Sequence, residues 1–563
     1  MLGLSPWLSL LAVLLAVLLA RFATHEATGD SDRTPSGIAR AAERLRRAAE
    51  SRSALWVAGV ATAAATWYAW GSLHRSAVVH DEAAYLLQAQ LFANLRWTAS
   101  SPALPEFFEQ LYVNLLPAIS SKYPPGTSLL LAPGVMLGLP GLPIILMNGL
   151  TGALVFAVAR RIGGGLTATL AWAIWITSFP VLYFHAMYLS EVPSSLAWLG
   201  AWWSLLAWRE SAGPRHLWLL GTSVALCGIT RPLTGVALAL VAGAFVAWTI
   251  ARRHGFSRET ITREGRPLIV AAAGAALIMG LWSWRSTGDV RTSPLALYTR
   301  TYVPFDRLGF GARQDERPSA RLPWDQRVTS ESFYEEHRRH TTSALPIIAF
   351  SRARMIAHDM WYDWRGGLAV LAIVGLFGAP LGLWLGMGML AVQLLLYLLY
   401  AHPWTWSLYY IEGLPVLALV TALGIARVHA LVVSERSRDQ AYALGTLALL
   451  LAVIYPAART LRLVRGQIAL DHGYYDGFTS LLPHTASGAI VFVRYAPTHN
   501  DGLSLVRNVP DRDAAPVWTA YDRGADNARL AAVAPGRALF LFDEATGRLQ
   551  PLSRPVRAES AAH

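Results

Sequence analysis

Two carboxylates and a lysine stand out in the stretch from His80 to Gly126. Asp81 and Glu82 lie at its start, in HDEAAYLLQAQLFAN, and Lys122 lies near its end, in SSKYPPG. Hydrophobic segments flank the stretch, and ionisable groups at a membrane edge are costly and usually functional. The carboxylates could take a proton from a hydroxyl, and the ammonium could hold a phosphate oxygen.

Lys122 is the only lysine in a chain that otherwise carries 47 arginines. Codon bias explains the excess of arginine over lysine, and under one interpretation Lys122 is a lysine that remains by chance in spite of that bias. The other interpretation is a point charge for a phosphate, because a compact ammonium and a planar guanidinium are not interchangeable at such a site. We favour the second.

The composition is that of a polytopic membrane protein. Of the 563 residues, 54% are hydrophobic and 15% are charged, whereas soluble domains carry about 25% charge. Several apolar runs approach the roughly 20 residues that cross a bilayer. The single cysteine, Cys227, excludes an internal disulfide and a cysteine-based metal site. The net charge of +12 suggests basic loops beside anionic membrane lipids, and no nucleic-acid-binding motif accompanies it.

The order of motifs in the first polar stretch resembles a known family. An Asp-Glu pair follows the first core helix, then come Tyr85, a helical run to Phe92, a proline-containing loop and Lys-Tyr-Pro-Pro-Gly. This pattern resembles the first external loop of the GT-C membrane glycosyltransferases. It is most similar to their family 39-like branch, with the protein O-mannosyltransferases and the lipid A aminoarabinose transferase as relatives. The resemblance extends over about residues 80–235.

The resemblance implies the fold class and the chemistry. It implies an all-α, GT-C-like polytopic fold and inverting transfer of a sugar from a polyprenyl-phosphate-linked donor. The acceptor would be a lipid, a glycan or a protein. No cofactor is required by any motif, and a divalent cation is left open. The expected location is the plasma (inner) membrane, with the site on the external or periplasmic face.

Arginine-rich loops set the predicted topology. Residues 21–53 hold seven arginines and are expected to be cytoplasmic by the positive-inside rule. The first core helix then runs outward and brings Asp81 and Glu82 to the external face. The segment 127–139 contains Pro133 and is too short to span comfortably, so we expect an external interfacial or re-entrant piece.

About twelve membrane helices are predicted, counting an uncleaved first one. Their expected ranges are 4–20, 54–73, 142–160, 165–183, 193–209, 216–230, 233–250, 268–284, 367–382, 384–400, 408–427 and 441–457. The expected domains are an N-terminal helix and basic linker (1–53), a transmembrane catalytic domain (54–457) and a small external α/β domain (458–563). The catalytic domain would carry external loops at 74–141 and 285–365. Strand-like alternation at 489–495 and 538–542 indicates the α/β domain, and the tail 551–563 is expected to be disordered.

Three carboxylates are candidate catalytic groups. By the resemblance, Asp81 is the base or the carboxylate that orients the acceptor, with Glu82 beside it and Glu191 as a second acid. Each has a structural alternative. Asp81 could cap the helix that begins near Ala83, and Glu191 could compensate a helix dipole just before Pro193.

Five further residues are candidate site residues. Lys122, Tyr123 and Arg231 are expected to bind the donor phosphate; His185, as a metal or phosphate partner, and Tyr85 are possible members of the site. Arg231 could instead snorkel to the interface, and His185 could be an ordinary polar loop residue. No metal site is assigned.

Two aromatic segments are ambiguous. The segments YTRTYVPFDRLGFG (298–311) and HPWTWSLYYIEG (402–413) could bind sugar, but aromatic residues also form interface belts in any membrane protein. We favour the interface interpretation for their single residues.

Two other functions are compatible with the sequence. A transporter or flippase of lipid-linked sugars would place its ionisable groups near the bilayer midplane on broken helices, whereas here they follow helix ends. A non-enzymatic envelope assembly protein would act mainly through residues 458–563.

Overall fold

The computed structural model describes residues 51–253, 257–320, 322–362, 365–432, 457–485, 488–500 and 502–553, together with 46–50 and isolated earlier positions. Most of the predicted helix 4–20, the predicted helix 441–457 except its last residue, and residues 554–563 of the predicted tail lie outside the described residues.

The described chain is mostly helical. Its α-helices are α1 Ser53–Trp70, α2 His80–Ala93, α3 Gly126–Met136, α4 Leu142–Ile176, α5 Phe179–Phe184, α6 Glu191–Ser211, α7 Pro214–Thr230, α8 Pro232–Arg253, α9 Arg258–Thr287, α10 Pro294–Tyr302, α11 Trp324–Arg339, α12 Leu345–Trp361, α13 Leu368–Leu376, α14 Leu381–Tyr397, α15 Leu414–Val432, α16 Ala457–Ser480 and α17 Asn527–Val533. Its strands are β1 Ala99–Ser100, β2 Val113–Asn114, β3 Ala118–Ser121, β4 Ala489–Arg494, β5 Val517–Tyr521, β6 Ala538–Asp543 and β7 Arg548–Pro551.

The chain divides into two compact units, each built from three segments. Residues 1–73, 142–276 and 342–468 form one, here called the helical unit. Residues 74–141, 277–341 and 469–563 form the other, here called the mixed unit. The polar stretch from His80 to Gly126 therefore belongs to the same unit as the C-terminal strands.

Close backbone contacts hold the helical unit together. Helix α4 packs against α1, α6 and α15, and α13 packs against α15. A Cβ atom on Gly375 would lie 1.8 Å from a backbone oxygen of α15, and one on Gly424 would lie 1.7 Å from a backbone oxygen of α13. Small residues at such crossings let membrane helices approach closely. Helix α4 itself is broken at Gly164, whose φ is +79°, and this break separates the two helices predicted at 142–160 and 165–183.

Apolar helices make this chain an integral membrane protein. Among the described residues, four helices are long and apolar enough to cross a bilayer: Leu142–Ile176, Pro232–Arg253, Arg258–Thr287 and Ser407–Leu431. Helices α13 and α14, bent by 116° relative to each other, could form a fifth span. The figure of about twelve spans stays a prediction. Helix α3, with 11 residues, is about 16 Å long and falls short of the roughly 30 Å hydrocarbon core.

The mixed unit contains two sheets. The first is antiparallel with strand order β1-β3-β2. The second has the order β5-β4-β6-β7, in which β7 is antiparallel and the other three strands are parallel. The strands predicted around 489–495 and 538–542 are confirmed. Ile490 and Phe492 of β4 share one hydrophobic core with Phe107 and Val113, so the C-terminal strands pack directly on the segment that follows α2.

Candidate functional site

Glu82 fixes the start of α2 and thereby the place of Asp81. The Glu82 carboxylate is 1% exposed and accepts the backbone N–H groups of Val78 at 2.8 Å and Val79 at 3.2 Å. Val79 is the N-cap residue of α2, and its N–H is among the groups that a helix start leaves unsatisfied. Asp81 lies in the first turn of α2 and is only partly buried. A catalytic role for Glu82 stays a prediction; its described contacts hold the backbone.

Asp81 is joined to Tyr123 by a short hydrogen bond. The Tyr123 hydroxyl donates to Asp81 Oδ1 at 2.5 Å, a distance typical of a bond to an ionised carboxylate. Burial, reinforced by Asp81, raises the pKa of Tyr123 well above its usual value, so the phenol keeps its proton and donates. The Tyr123 ring stacks on Tyr85 with centroids 4.5 Å apart. The prolines after Tyr123 disfavour a helix there, which leaves the ring on a loop between β3 and α3.

Lys122 lies in a cage of three aromatic rings. Its Nζ atom is 4.1 Å from the ring centroid of Tyr112, 5.2 Å from that of Tyr298 and 5.3 Å from that of Tyr123. Its side chain is 7% exposed, and Nζ lies 3.7 Å from Asp306 Oδ2. Cation–π contacts stabilise a desolvated ammonium by up to about 2 kcal/mol. The cage fixes the position of the only lysine in the chain beside the Asp81–Tyr123 pair.

Tyr112 adopts an unusual backbone conformation to join this cage. Its φ is +67°, in the left-handed region that bulky residues rarely occupy. Its carbonyl accepts the backbone N–H of Lys122 at 2.9 Å. Such local strain is concentrated at functional sites, and here it places the Tyr112 ring over the ammonium.

Two acidic residues extend the site beyond the sequence prediction. Asp306 lies between Lys122 and His337, whose Nε2 is 3.6 Å from Asp306 Oδ1. Glu109 is bonded to Tyr302, and burial raises the pKa of Glu109 to about 7 in spite of that bond. Asp306 and Tyr302 lie in the aromatic segment 298–311, so the composition of that segment was the available signal.

A second cluster of charges lies in the helical unit. Arg231 is bound by two carboxylates, with Nη1 3.0 Å from Glu191 Oε1 and 3.3 Å from Glu412 Oε1. All three side chains are at most 5% exposed. Glu412 also accepts hydrogen bonds from Ser194 at 2.6 Å and Gln393 at 3.0 Å. One arginine shared by two buried carboxylates is here called the Arg231 triad.

The Arg231 triad bears on two predicted site residues. Glu191 occupies the first turn of α6, which is where a residue that compensates the helix dipole has to lie. Its carboxylate faces Arg231. The guanidinium also donates to the Leu408 carbonyl at 3.2 Å. Phosphate binding by Arg231 and acid chemistry by Glu191 stay predictions. No local pattern in the sequence connects Glu412 with either residue, because it lies 181 positions beyond Arg231 in the segment 402–413.

His185 is buried and neutral. Burial lowers its pKa to about 3, its Nε2 lies 3.4 Å from Ser195 Oγ, and its ring packs edge-on against Trp175. Within the described part of the chain, no three His, Cys, Asp or Glu side chains converge as metal ligands. These contacts are those of a core histidine.

The structure thus sorts the predicted residues into two sets. Asp81, Lys122, Tyr123 and Tyr85 form one cluster in the mixed unit, and Glu82 supports it. Glu191, Arg231 and His185 belong to the helical unit. The first cluster combines an accessible carboxylate with a fixed ammonium, and it is the candidate active site.

The fold is GT-C-like, that of a class of membrane glycosyltransferases. Two crystal structures of ArnT from Cupriavidus metallidurans, one bound to undecaprenyl phosphate and one in the apo state, each match with a TM-score of 0.50. Each is 12% identical in sequence, and the match covers 88% of this chain and 93% of that chain.

A more distant match is the mycobacterial arabinofuranosyltransferase AftD, with a TM-score of 0.42 and 19% identity over 84% of this chain and 32% of that one. No protein-family model matches the sequence. No curated protein is significantly similar to it.

Proposed function

We propose that the protein is a membrane glycosyltransferase that moves a sugar from a polyprenyl-phosphate-linked donor to an acceptor, with inversion at the transferred carbon. The observation that carries this proposal is the placement of Asp81, Tyr123 and caged Lys122 in one cluster. The GT-C-like fold supports it, as does the undecaprenyl phosphate bound to the ArnT structure.

Asp81 acts as the base in this proposal. Its Oδ1 atom holds the Tyr123 hydroxyl, so Oδ2 takes the proton of an acceptor hydroxyl. The acceptor oxygen forms a bond to the anomeric carbon on the face opposite the phosphate. The bond from that carbon to the phosphate oxygen breaks, and its electron pair leaves with the phosphate. A positioned base of this kind contributes about 10²- to 10⁴-fold in rate.

Lys122 stabilises the departing phosphate. Its ammonium is held by aromatic faces and by one carboxylate, Asp306. A donor phosphate would take Asp306's place or share the charge with it. Because the cage removes side-chain freedom in advance, little ordering is needed when the donor arrives, which is the advantage of a preorganised site. Tyr85 supports the site by stacking on Tyr123.

Glu191 and Arg231 have a different part in the proposal. The sequence predicts a second acid and a second phosphate contact at these positions. Because each already neutralises the other in a buried pair, we propose that they first of all hold α6 and the segment around Leu408 together. A donor phosphate would have to displace a carboxylate to reach the guanidinium.

The proposed orientation places the site on the external face of the plasma membrane. It follows from the arginine-rich loops, and the full set of about twelve spans is part of it. Single cysteines in a Cys227→Ser background test it by labelling from outside. Positions 81 and 500 should label, and positions 160 and 253 should not; position 191, also proposed to be external, is left out of the labelling because its side chain is buried against Arg231. Labelling at position 160 would overturn the interfacial assignment of 127–139.

A transporter of lipid-linked sugars is the second candidate. The Arg231 triad favours it, because transporters keep buried charges within helical bundles. The two functions differ in product: a transferase changes the acceptor, whereas a transporter only moves the donor.

Lipid and glycan analysis of cells with and without the gene tests the proposed function, and sugar transfer by the purified protein in detergent, where no membrane has to be crossed, separates a transferase from a transporter. For a transferase, cells that lack the gene should accumulate the lipid-linked donor and lose one modified acceptor, and an Asp81→Asn copy should not restore it. Restoration by that copy would contradict the proposed function.

A further inference from the structure

A basic cavity of about 530 Å³ opens at the ends of α6 and α8 in the helical unit. Three arginines line it: Arg209 near the end of α6, and Arg252 and Arg253 at the end of α8. Leu206 and Trp248 supply apolar wall. With Glu210 and Thr249, these five residues define what is here called the arginine cavity.

The positive charge of the arginine cavity is not balanced within it. Its one carboxylate, Glu210, is bonded to Arg161 at 2.9 Å. Arg252 lies over the Trp248 ring and Arg253 over that of Trp208, at 5.8 and 5.7 Å. Within the described residues, no carboxylate lies within ion-pair distance of the three lining arginines.

The surroundings indicate which anion would enter. Helix α8 is one of the helices able to span a membrane, so its basic end falls at the level of lipid headgroups. Trp248 is 46% exposed, as tryptophans at membrane interfaces commonly are. Guanidinium groups match phosphate oxygens in a two-pronged geometry. Basic pockets between membrane helices are known to hold anionic headgroups.

We propose that the arginine cavity binds a phosphate group, carried by an anionic membrane lipid or by a free phosphate ester. The site is independent of the proposed function, because Asp81 and Lys122 belong to the mixed unit. The simpler explanation, arginines that only offset helix dipoles or snorkel to the surface, requires no bound anion.

Paired variants of the full-length protein test the proposal. Arg209→Gln/Arg252→Gln removes two cavity charges and leaves Arg253, whose guanidinium donates to the Arg209 carbonyl. The matched control, Arg258→Gln/Arg266→Gln, removes two exposed charges from α9 outside the cavity. Size-exclusion profiles and unfolding temperatures establish that both variants fold.

Two probes distinguish the sources of phosphate. Native mass spectrometry compares the retention of dioleoyl phosphatidylglycerol with that of dioleoyl phosphatidylcholine. Calorimetry measures the binding of inorganic phosphate and of glycerol 1-phosphate. We expect the wild type to bind. The cavity variant should bind at least about 10-fold more weakly, because the loss of even one charge-assisted hydrogen bond has that effect. The affinity of the control should change by less than about 2-fold.

Each outcome decides the proposal. Selective retention of phosphatidylglycerol that inorganic phosphate does not displace assigns the site to a lipid. Direct binding of either soluble probe assigns it to a free phosphate. The proposal is overturned if neither probe binds, or if the cavity variant and the control bind equally.

Discussion

Removing one hydroxyl group from Tyr123 isolates the contact on which the proposed site depends. Tyr123→Phe keeps the ring that stacks on Tyr85 and faces Lys122 and deletes only the 2.5 Å hydrogen bond to Asp81. A hydrogen bond to a charged group contributes about 1.5–3 kcal/mol. At about 1.4 kcal/mol per decade, turnover should fall by roughly 10- to 150-fold.

The assay is transfer of radiolabelled sugar from lipid-linked donor by the purified protein. The control is Tyr298→Phe. This change removes another hydroxyl group of the same cage, one that is hydrogen-bonded to the backbone of Tyr112. Near wild-type turnover in Tyr123→Phe would refute the reasoning.

Three further predictions concern single charged residues. Lys122→Ala should weaken donor binding about 10- to 150-fold and Lys122→Arg less, measured in detergent; full activity of the alanine variant would remove Lys122 from the site. Because the pKa of Glu109 is raised from 4.5 to about 7, the folded protein holds a proton that the unfolded chain releases, so stability falls as pH rises from about 4.5 to 7. The unfolding temperature of the wild type should fall across that range relative to Glu109→Gln, and a constant difference would contradict this. Arg231→Met should leave Glu191 and Glu412 buried without their counter-ion and cost about 3–5 kcal/mol of stability, and an unchanged unfolding temperature would show that the triad is not structural.

Local sequence patterns predicted the parts of the fold that depend on local properties. The apolar runs gave the helices of the helical unit to within a few residues at several positions, such as 233–250 for Pro232–Arg253. Alternation gave β4 and β6. The region 285–365 was predicted only as an external segment, yet it contains α10, α11 and α12. Those helices are shorter and more polar than the membrane-spanning ones, so no apolar run of membrane length predicts them.

The candidate site was predicted only in part, because local patterns distinguish only some of its residues. Asp81, Lys122 and Tyr123 were found because they are unusual residue types within one short stretch. Asp306 and Glu412 were missed because they meet Lys122 and Arg231 only through tertiary packing, across separations of 184 and 181 positions. Glu82 shows the converse: its place beside Asp81 suggested catalysis, whereas its side chain turns back to the backbone.

The most direct test of the central claim is sugar transfer by the reconstituted protein with Asp81→Asn. The substrate is the lipid extract of cells that lack the gene, in which the donor should accumulate, and the matched control is Asp315→Asn at a carboxylate that is 72% exposed. The account predicts that Asp81→Asn lowers turnover by about 10²- to 10⁴-fold while the protein stays folded and still binds donor, and that the control transfers normally. Near wild-type transfer by Asp81→Asn would contradict it.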